Sequence, residues 1–263
     1  MKNLIIGSKG FLGRELCKFL KNRNESVVEI DIKNGSNEDA RFIKLPLDNI
    51  DRVYFLAWNV GGSKFLYNAN TQIIQMEWNN ALMNNIFPQI INTPFVFVSS
   101  QLSDNIDSVY GIQKKMGEVW TKLSNYGISV RLWNIYGYNE KFTEKSHVVS
   151  DFVYQAMINS EIKMLTKGNE VRQYIHIDDA CDGLIKSFDI TDKNKTYDIS
   201  TGEWVKLLDL ANEIKHITNC KIILGEKLGE SLLIKNKQFI PNWKPKISLY
   251  DGLNNMIKNF KND

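Results

Sequence analysis

The chain has 263 residues, 43% of them hydrophobic, enough to bury one full core or a core with a small attached lobe. Its net charge is only +3 and its lysines are scattered without a basic run, which argues against nucleic acid as a partner. Cys17, Cys181 and Cys220 are odd in number and far apart, a pattern of buried thiols in a reducing compartment and not of a disulfide framework or a metal site; with no apolar leader and no membrane-length run, a cytoplasmic protein is expected.

The apolar run Leu4-Ile5-Ile6 reads as a first strand. Gly7-Ser8-Lys9-Gly10-Phe11-Leu12-Gly13 follows and opens a helical pattern that lasts to about residue 21. A strand, a tight glycine turn and a helix whose first N–H groups face a pyrophosphate make a dinucleotide site, with Gly7, Gly10, Phe11, Leu12 and Gly13 as its contacts. Residues 26–32 read as a second strand, and Asp31 near its end stands 18 residues beyond Gly13. There a carboxylate accepts from both adenosine ribose hydroxyls and repels a 2′-phosphate, which favours NAD over NADP; Ile32 lies beside it, and Lys9 and Lys33 are cations able to neutralise such a phosphate. Residues 41–45 look like a third strand, and residues 51–58 follow too soon for a full crossover helix, so the sheet is trimmed there.

Residues 71–87 form a long amphipathic helix pattern, 95–98 a buried strand that stops at Ser99-Ser100, and 110–125 the next helix. That helix begins with Tyr110-Gly111-Ile112-Gln113-Lys114, placing a phenol and an ammonium at i and i+4. A phenol of ordinary pKa near 10 is a poor base at neutral pH. The Lys114 ammonium and the positive ring of an oxidised nicotinamide both favour the phenolate, and Lys114 also suits the nicotinamide ribose. Ser100 is placed to hydrogen-bond the substrate hydroxyl and the tyrosine oxygen, with Ser99 the competing candidate.

Residues 128–133 read as a strand that ends at Asn134-Ile135-Tyr136-Gly137. Shorter pieces follow: helix 146–159, strands 163–165 and 174–177, a helix from Asp178, strand 196–199, helix 205–216 and a last helix from Ser248. The alternation predicts an α/β fold, a Rossmann-type doubly wound parallel sheet formed mainly by residues 1–137, which bind NAD. Residues 138–263 are expected to form mainly a small C-terminal substrate-binding lobe, with a strand or helix returning to the sheet. The ligands then lie at the carboxyl ends of the strands.

Seven segments occur in a family's order: the glycine turn, Leu56-Ala57, Ser99-Ser100, Tyr110-x-x-x-Lys114, Arg131 to Gly137, Arg172 with Tyr174 to Asp179, and Tyr197 to Glu203. The chain thereby resembles, over nearly its whole length, the extended short-chain dehydrogenases/reductases of the nucleotide-sugar epimerase and dehydratase group. The resemblance implies an NAD-dependent enzyme acting on a nucleoside-diphosphate sugar, as in polysaccharide biosynthesis, with Leu56 and Ala57 against the cofactor. Val60-Gly61-Gly62 is similar to a segment of GDP-fucose synthases and GDP-mannose 3,5-epimerases, and Ser146-His147-Val148-Val149 to a stretch of GDP-fucose synthase. By that likeness a GDP-sugar is favoured, Gly61, Gly62, His147 and Val148 face the substrate, Asn134 its diphosphate side, and the Arg172 guanidinium fork its phosphates.

Two departures narrow the chemistry. Gln101-Leu102 stands where the family's dehydratases carry an acidic pair, and Ser100 and Tyr110 are only ten apart, with no cysteine between them. What remains is a minimal set for oxidising or reducing one carbinol, usually C4. A dehydrogenase releasing a 4-keto sugar and a C4-epimerase with retained NAD share that half-reaction, and a non-catalytic NAD-binding module is the alternative class. Ile73, Ile74, Trp78, Leu82 and Ile86 on one helix and Met116, Val119, Trp120 and Leu123 on the next exceed what one sheet face covers. The resemblance implies that these helices pair across a two-fold axis, giving a homodimer or a multiple of it.

Overall fold

The computed structural model describes residues 1–138, 140, 142–143, 146–193 and 195–260, the side chains of residues 63 and 64 excepted. β1 (Lys2–Ile6) leads through the glycine turn into α1 (Phe11–Asn22), which returns to β2 (Ser26–Ile30). Leu4, Ile5 and Ile6 are wholly buried, as a parallel strand covered on both faces requires. β3 (Arg52–Phe55) pairs on the other side of β1 in parallel.

The expected strand at residues 41–45 does not form. That stretch is turn and irregular backbone, and the sheet ends at β2. Side chains of the following long helix take the place of a strand neighbour: Asn85 Nδ2 donates to the Ala40 and Ile43 carbonyls at 3.0 and 2.9 Å, and the Leu45 N–H donates to Gln89 Oε1 at 2.8 Å. Ile43 and Leu45 still meet the core, so their apolar pattern reflects burial without strand pairing.

After the short α2 (Ser63–Leu66), α3 (Ala69–Ile90) packs Leu82, Met83, Ile86, Phe87 and Ile90 against the sheet. α3 leads to β4 (Phe95–Ser100), and α4 (Val109–Lys122) carries the chain over to β5 (Gly127–Leu132) in a third helical crossover. β6 (Asn134–Tyr136), α5 (Val148–Asn159), β7 (Glu161–Lys163), β8 (Val171–Arg172), β9 (Tyr174–His176) and α6 (Ile177–Lys186) follow. β10 (Thr196–Ile199) then pairs with β5, giving a six-stranded parallel sheet of order β10-β5-β4-β3-β1-β2.

β11 (Val205–Lys206), α7 (Leu207–Thr218), β12 (Lys221–Ile223) and α8 (Leu249–Phe260) close the chain. The two-stranded pairs β6–β9, β8–β11 and β7–β12 flank a second core in which Phe152, Leu210, Ile214 and Leu253 meet Tyr136. Among the described residues no helix is long and apolar enough to cross a membrane.

Candidate active site

The carboxyl ends of β1 to β5 open into a cleft of about 520 Å³ that reaches the Arg172 and Trp204 segments. Its first wall is the glycine turn. Gly7 has φ +97°, and a Cβ there would stand 2.6 Å from the Ala57 nitrogen; one on Gly13 would stand 2.1 Å from the Gly7 oxygen. These two glycines are required by the fold itself. Gly10 is different: its φ of −68° suits any residue, and a Cβ would meet only the Gly7 oxygen, at 3.3 Å.

Gly10 lines the cleft and starts α1 without a side-chain cap, so the helix's first N–H groups are left to a ligand. A bare backbone at which a Cβ would meet one atom closely, the Gly7 oxygen, and otherwise face the cleft is a cradle whose missing side chain makes space for something else. The fit to a pyrophosphate is therefore good.

Phe11, Leu12, Ile32, Leu56 and Ala57 border the same space. Asp31 is held at the end of β2 by the Lys9 N–H at 2.8 Å and the Lys33 N–H at 2.9 Å. The two expected phosphate-neutralising cations fare differently. The Lys9 ammonium pairs with Glu29 at 2.7 Å, which takes it out of that role, whereas Lys33 lines the cleft. Arg41, which the sequence did not single out, also lines it, bound to Asp39 and stacked 3.6 Å from the Trp78 ring centre.

The middle of the cleft brings together Ser100, Tyr110 and Lys114. Ser100 donates to Gln101 Oε1 at 2.9 Å, whereas Ser99 donates to buried Glu118 at 2.8 Å. Lys114 donates to the Val98 carbonyl at 2.7 Å. Burial pushes the Tyr110 phenol up to about 12, against a lowering pull from the Ser100 hydroxyl. Burial also pushes the Lys114 ammonium well below the usual lysine range, opposed by Glu118.

The expectation that Lys114 brings the phenol down is thus not met within the protein alone. Its Nζ lies 5.7 Å from the Tyr110 ring centre, and the half-buried phenol is raised by desolvation, with the lowering pull coming from the Ser100 hydroxyl.

At the far end stand Gly61, Gly62, Asn134, His147 and Arg172. Asn134 Nδ2 donates to the Gln173 carbonyl at 2.8 Å, which fixes the amide. Arg172 is steadied by the carbonyls of Val171 and Glu230. His147 Nδ1 is 2.5 Å from Glu140; burial would lower the imidazole, but the Glu140 carboxylate raises it above its ordinary value. Val148 does not line the cleft, because as the first residue of α5 it packs on the second core. Trp58, Trp78, Trp133 and Trp204 do line it; Trp133 lies within the Arg131 to Gly137 segment and Trp78 on the apolar helix face, while Trp58 and Trp204 are marked only by standing next to motif residues.

Residues 92–200 match the family described as NAD dependent epimerase/dehydratase. This bears out the resemblance carried by the motifs, and with it the enzyme class and cofactor of that family. A putative UDP-glucose 4-epimerase of Methanocaldococcus jannaschii is 24% identical over 311 aligned positions, covering 99% of this chain and 98% of that one. GDP-L-fucose synthase 1 of Arabidopsis thaliana is 28% identical, over 46% of this chain and 41% of that one. The solved UDP-glucose 4-epimerase of Thermotoga maritima superimposes with a TM-score of 0.83 at 19% identity, over 100% of this chain and 99% of that one, and so shows the fold.

Proposed function

We propose that this protein is an NAD-dependent oxidoreductase acting at C4 of a nucleoside-diphosphate sugar. The observation that carries the reading is the convergence of Ser100, Tyr110 and Lys114 on one cleft wall, continuous with the Gly10 cradle and Asp31. In this reading Gly10 to Gly13 hold the pyrophosphate, Asp31 the adenosine ribose, and Leu56, Ala57 and Lys114 the nicotinamide side. When bound, NAD supplies a hydride acceptor and a positive ring. Tyr110 takes the carbinol proton, Ser100 orients that hydroxyl, and Asn134, His147 and Arg172 hold the diphosphate sugar.

The GDP preference drawn from short segments loses support. Two relatives that align along nearly the whole chain, a UDP-glucose 4-epimerase and a UDP-glucuronic acid decarboxylase, are named for UDP-sugars, while the GDP-fucose synthase likeness spans less than half of it. UDP-sugars are therefore the first substrates to try. The 4-epimerase names among the relatives and solved structures favour the C4-epimerase outcome, with hydride returned to the opposite face, over release of a 4-keto sugar. A panel of UDP-, GDP- and dTDP-sugars, read by the near-ultraviolet band of reduced nicotinamide and by mass analysis of the sugar, tests both. An isomer of unchanged mass means epimerase; a product two mass units lighter with growth of the band means dehydrogenase; no change with any sugar means a non-catalytic module.

The expected apolar helix face divides in two. Leu82 and Ile86 are core and Trp78 lines the cleft, but Ile73, Ile74, Met116, Val119 and Leu123 are exposed. A second copy of the chain covering this exposed strip is proposed, and light scattering that reports an active monomer would remove it.

A further inference from the structure

Lys114 is only 4% exposed, and a buried ammonium ordinarily needs a carboxylate beside it. Glu118, one turn further along α4, is already bound by Arg131 at 2.8 Å, Ser99 at 2.8 Å and Ser103 at 2.6 Å. What faces the ammonium is an aromatic surface. Its Nζ lies 3.8 Å from the centre of the Trp58 indole, with the Phe97 ring at 5.1 Å. Trp58 follows β3, and its ring packs against Phe55 and Phe97 with centres 6.2 and 5.6 Å apart. Its indole N–H is buried without a hydrogen-bond partner, so the ring's donor does not explain its placement. Its face does.

We propose that Trp58 is a positioning residue whose indole face stabilises the ammonium form of Lys114 and holds it on the cleft wall beside Tyr110. This rests on the reading of Lys114 as the group that serves both cofactor and phenol. The choice of a ring over a carboxylate has a chemical reason. A carboxylate at this place would hold the ammonium equally well, but its charge would oppose formation of a phenolate at Tyr110. The indole quadrupole attracts the cation and carries no net charge.

The groups that face Lys114 are Tyr110 and Glu118 from α4, the Val98 carbonyl and Phe97 ring from β4, and Trp58 after β3. Of these only Tyr110 and Glu118 titrate. Burial and Glu118 already act on Lys114 in opposite directions. The π face adds to the stabilising side.

The test is a pH titration of the whole chain labelled with 13C at the lysine ε carbons, with no cofactor added and the Lys114 signal assigned by its absence in Lys114→Arg. In wild type the Lys114 ε protons should lie upfield through the indole ring current. In Trp58→Leu that displacement should vanish and the titration midpoint should fall by about one pH unit, tenfold in the acid constant, with Trp58→Phe between the two. Trp58→Phe keeps an aromatic face and carries the test if the leucine variant fails to fold. An unchanged midpoint in either folded variant overturns the proposal. Calorimetry with NAD on the same proteins separates the two readings: if wild type binds no NAD while the lysine titration shifts as described, the functional reading fails and the role of Trp58 stands.

Discussion

The Ser99 hydroxyl donates to Glu118 Oε1 at 2.8 Å, while the hydroxyl of its neighbour Ser100 donates to Gln101 Oε1 at 2.9 Å on the cleft wall. Strand alternation sends adjacent side chains to opposite faces, so two serines that are equivalent as sequence become different as chemistry. Ser99→Ala should cost about 1 kcal/mol of stability, since Glu118 keeps Arg131 and Ser103, and should leave turnover near wild type. Ser100→Ala, which loses the cap that its hydroxyl places on the Leu102 N–H, should cost a similar amount and slow turnover roughly a hundredfold. Thermal melts and initial rates on both variants check this, and the reverse pattern would move the role to Ser99.

Gly10 and Gly13 should fail in different ways. Gly10→Val places a branched side chain on the cleft wall at ordinary backbone angles with one tight contact, to the Gly7 oxygen, so the chain should fold with a modestly lowered melting temperature and lose NAD binding. Gly13→Ala drives a Cβ to 2.1 Å from the Gly7 oxygen and should destabilise the fold by roughly 1–3 kcal/mol. Calorimetric NAD titration beside thermal melts distinguishes them. Tight NAD binding by Gly10→Val would take the pyrophosphate away from this turn.

Cofactor choice should depend on more than Asp31. With the Lys9 ammonium engaged by Glu29, Asp31→Ala leaves Lys33 as the cation at hand, and NADP affinity should rise only several-fold. Adding Asp39→Asn weakens the hold on Arg41 and should raise it further. Parallel NAD and NADP titrations read both effects. A wild type that already prefers NADP would show that the two carboxylates do not exclude a phosphate.

The parallel strands of the main sheet and the meeting of Ser100, Tyr110 and Lys114 in one cleft were legible because each rests on a local signal, apolar strand runs or a fixed motif spacing. Residues 41–45 misled because an apolar pattern reports burial, and here side-chain amides from α3 stand in for strand pairing. Trp58 and Arg41 were missed for a related reason. Their partners, Lys114 and Trp78, are distant in sequence, and no periodicity announces a contact made only by folding.

Burial also makes an alkaline prediction. Tyr110 and Tyr138 are raised to about 12, and burial raises Tyr54, Tyr136 and Tyr174 as well. Between the ordinary phenol value near 10 and these raised values, the unfolded chain sheds protons that the folded chain keeps. Stability from these groups is therefore complete below about pH 10 and declines as pH rises toward 12. Melting temperatures should fall over that interval, with much of the phenolate absorbance appearing together with unfolding. A phenolate titration of all the tyrosines with its midpoint near pH 10 in a protein that stays folded would mean that these phenols are not shielded.

When C4 gives up a hydride and Tyr110 takes the proton of the C4 hydroxyl, an isotope placed at C4 follows the hydride itself. A UDP-sugar carrying deuterium at C4 is incubated with the NAD-loaded protein in ordinary water, and sugar and cofactor are examined by mass. The label should stay with carbon, on the nicotinamide or back at C4 of an isomer, and Tyr110→Phe should nearly abolish the transfer. Deuterium lost to water from C4 would mean proton abstraction at that carbon and would contradict the account.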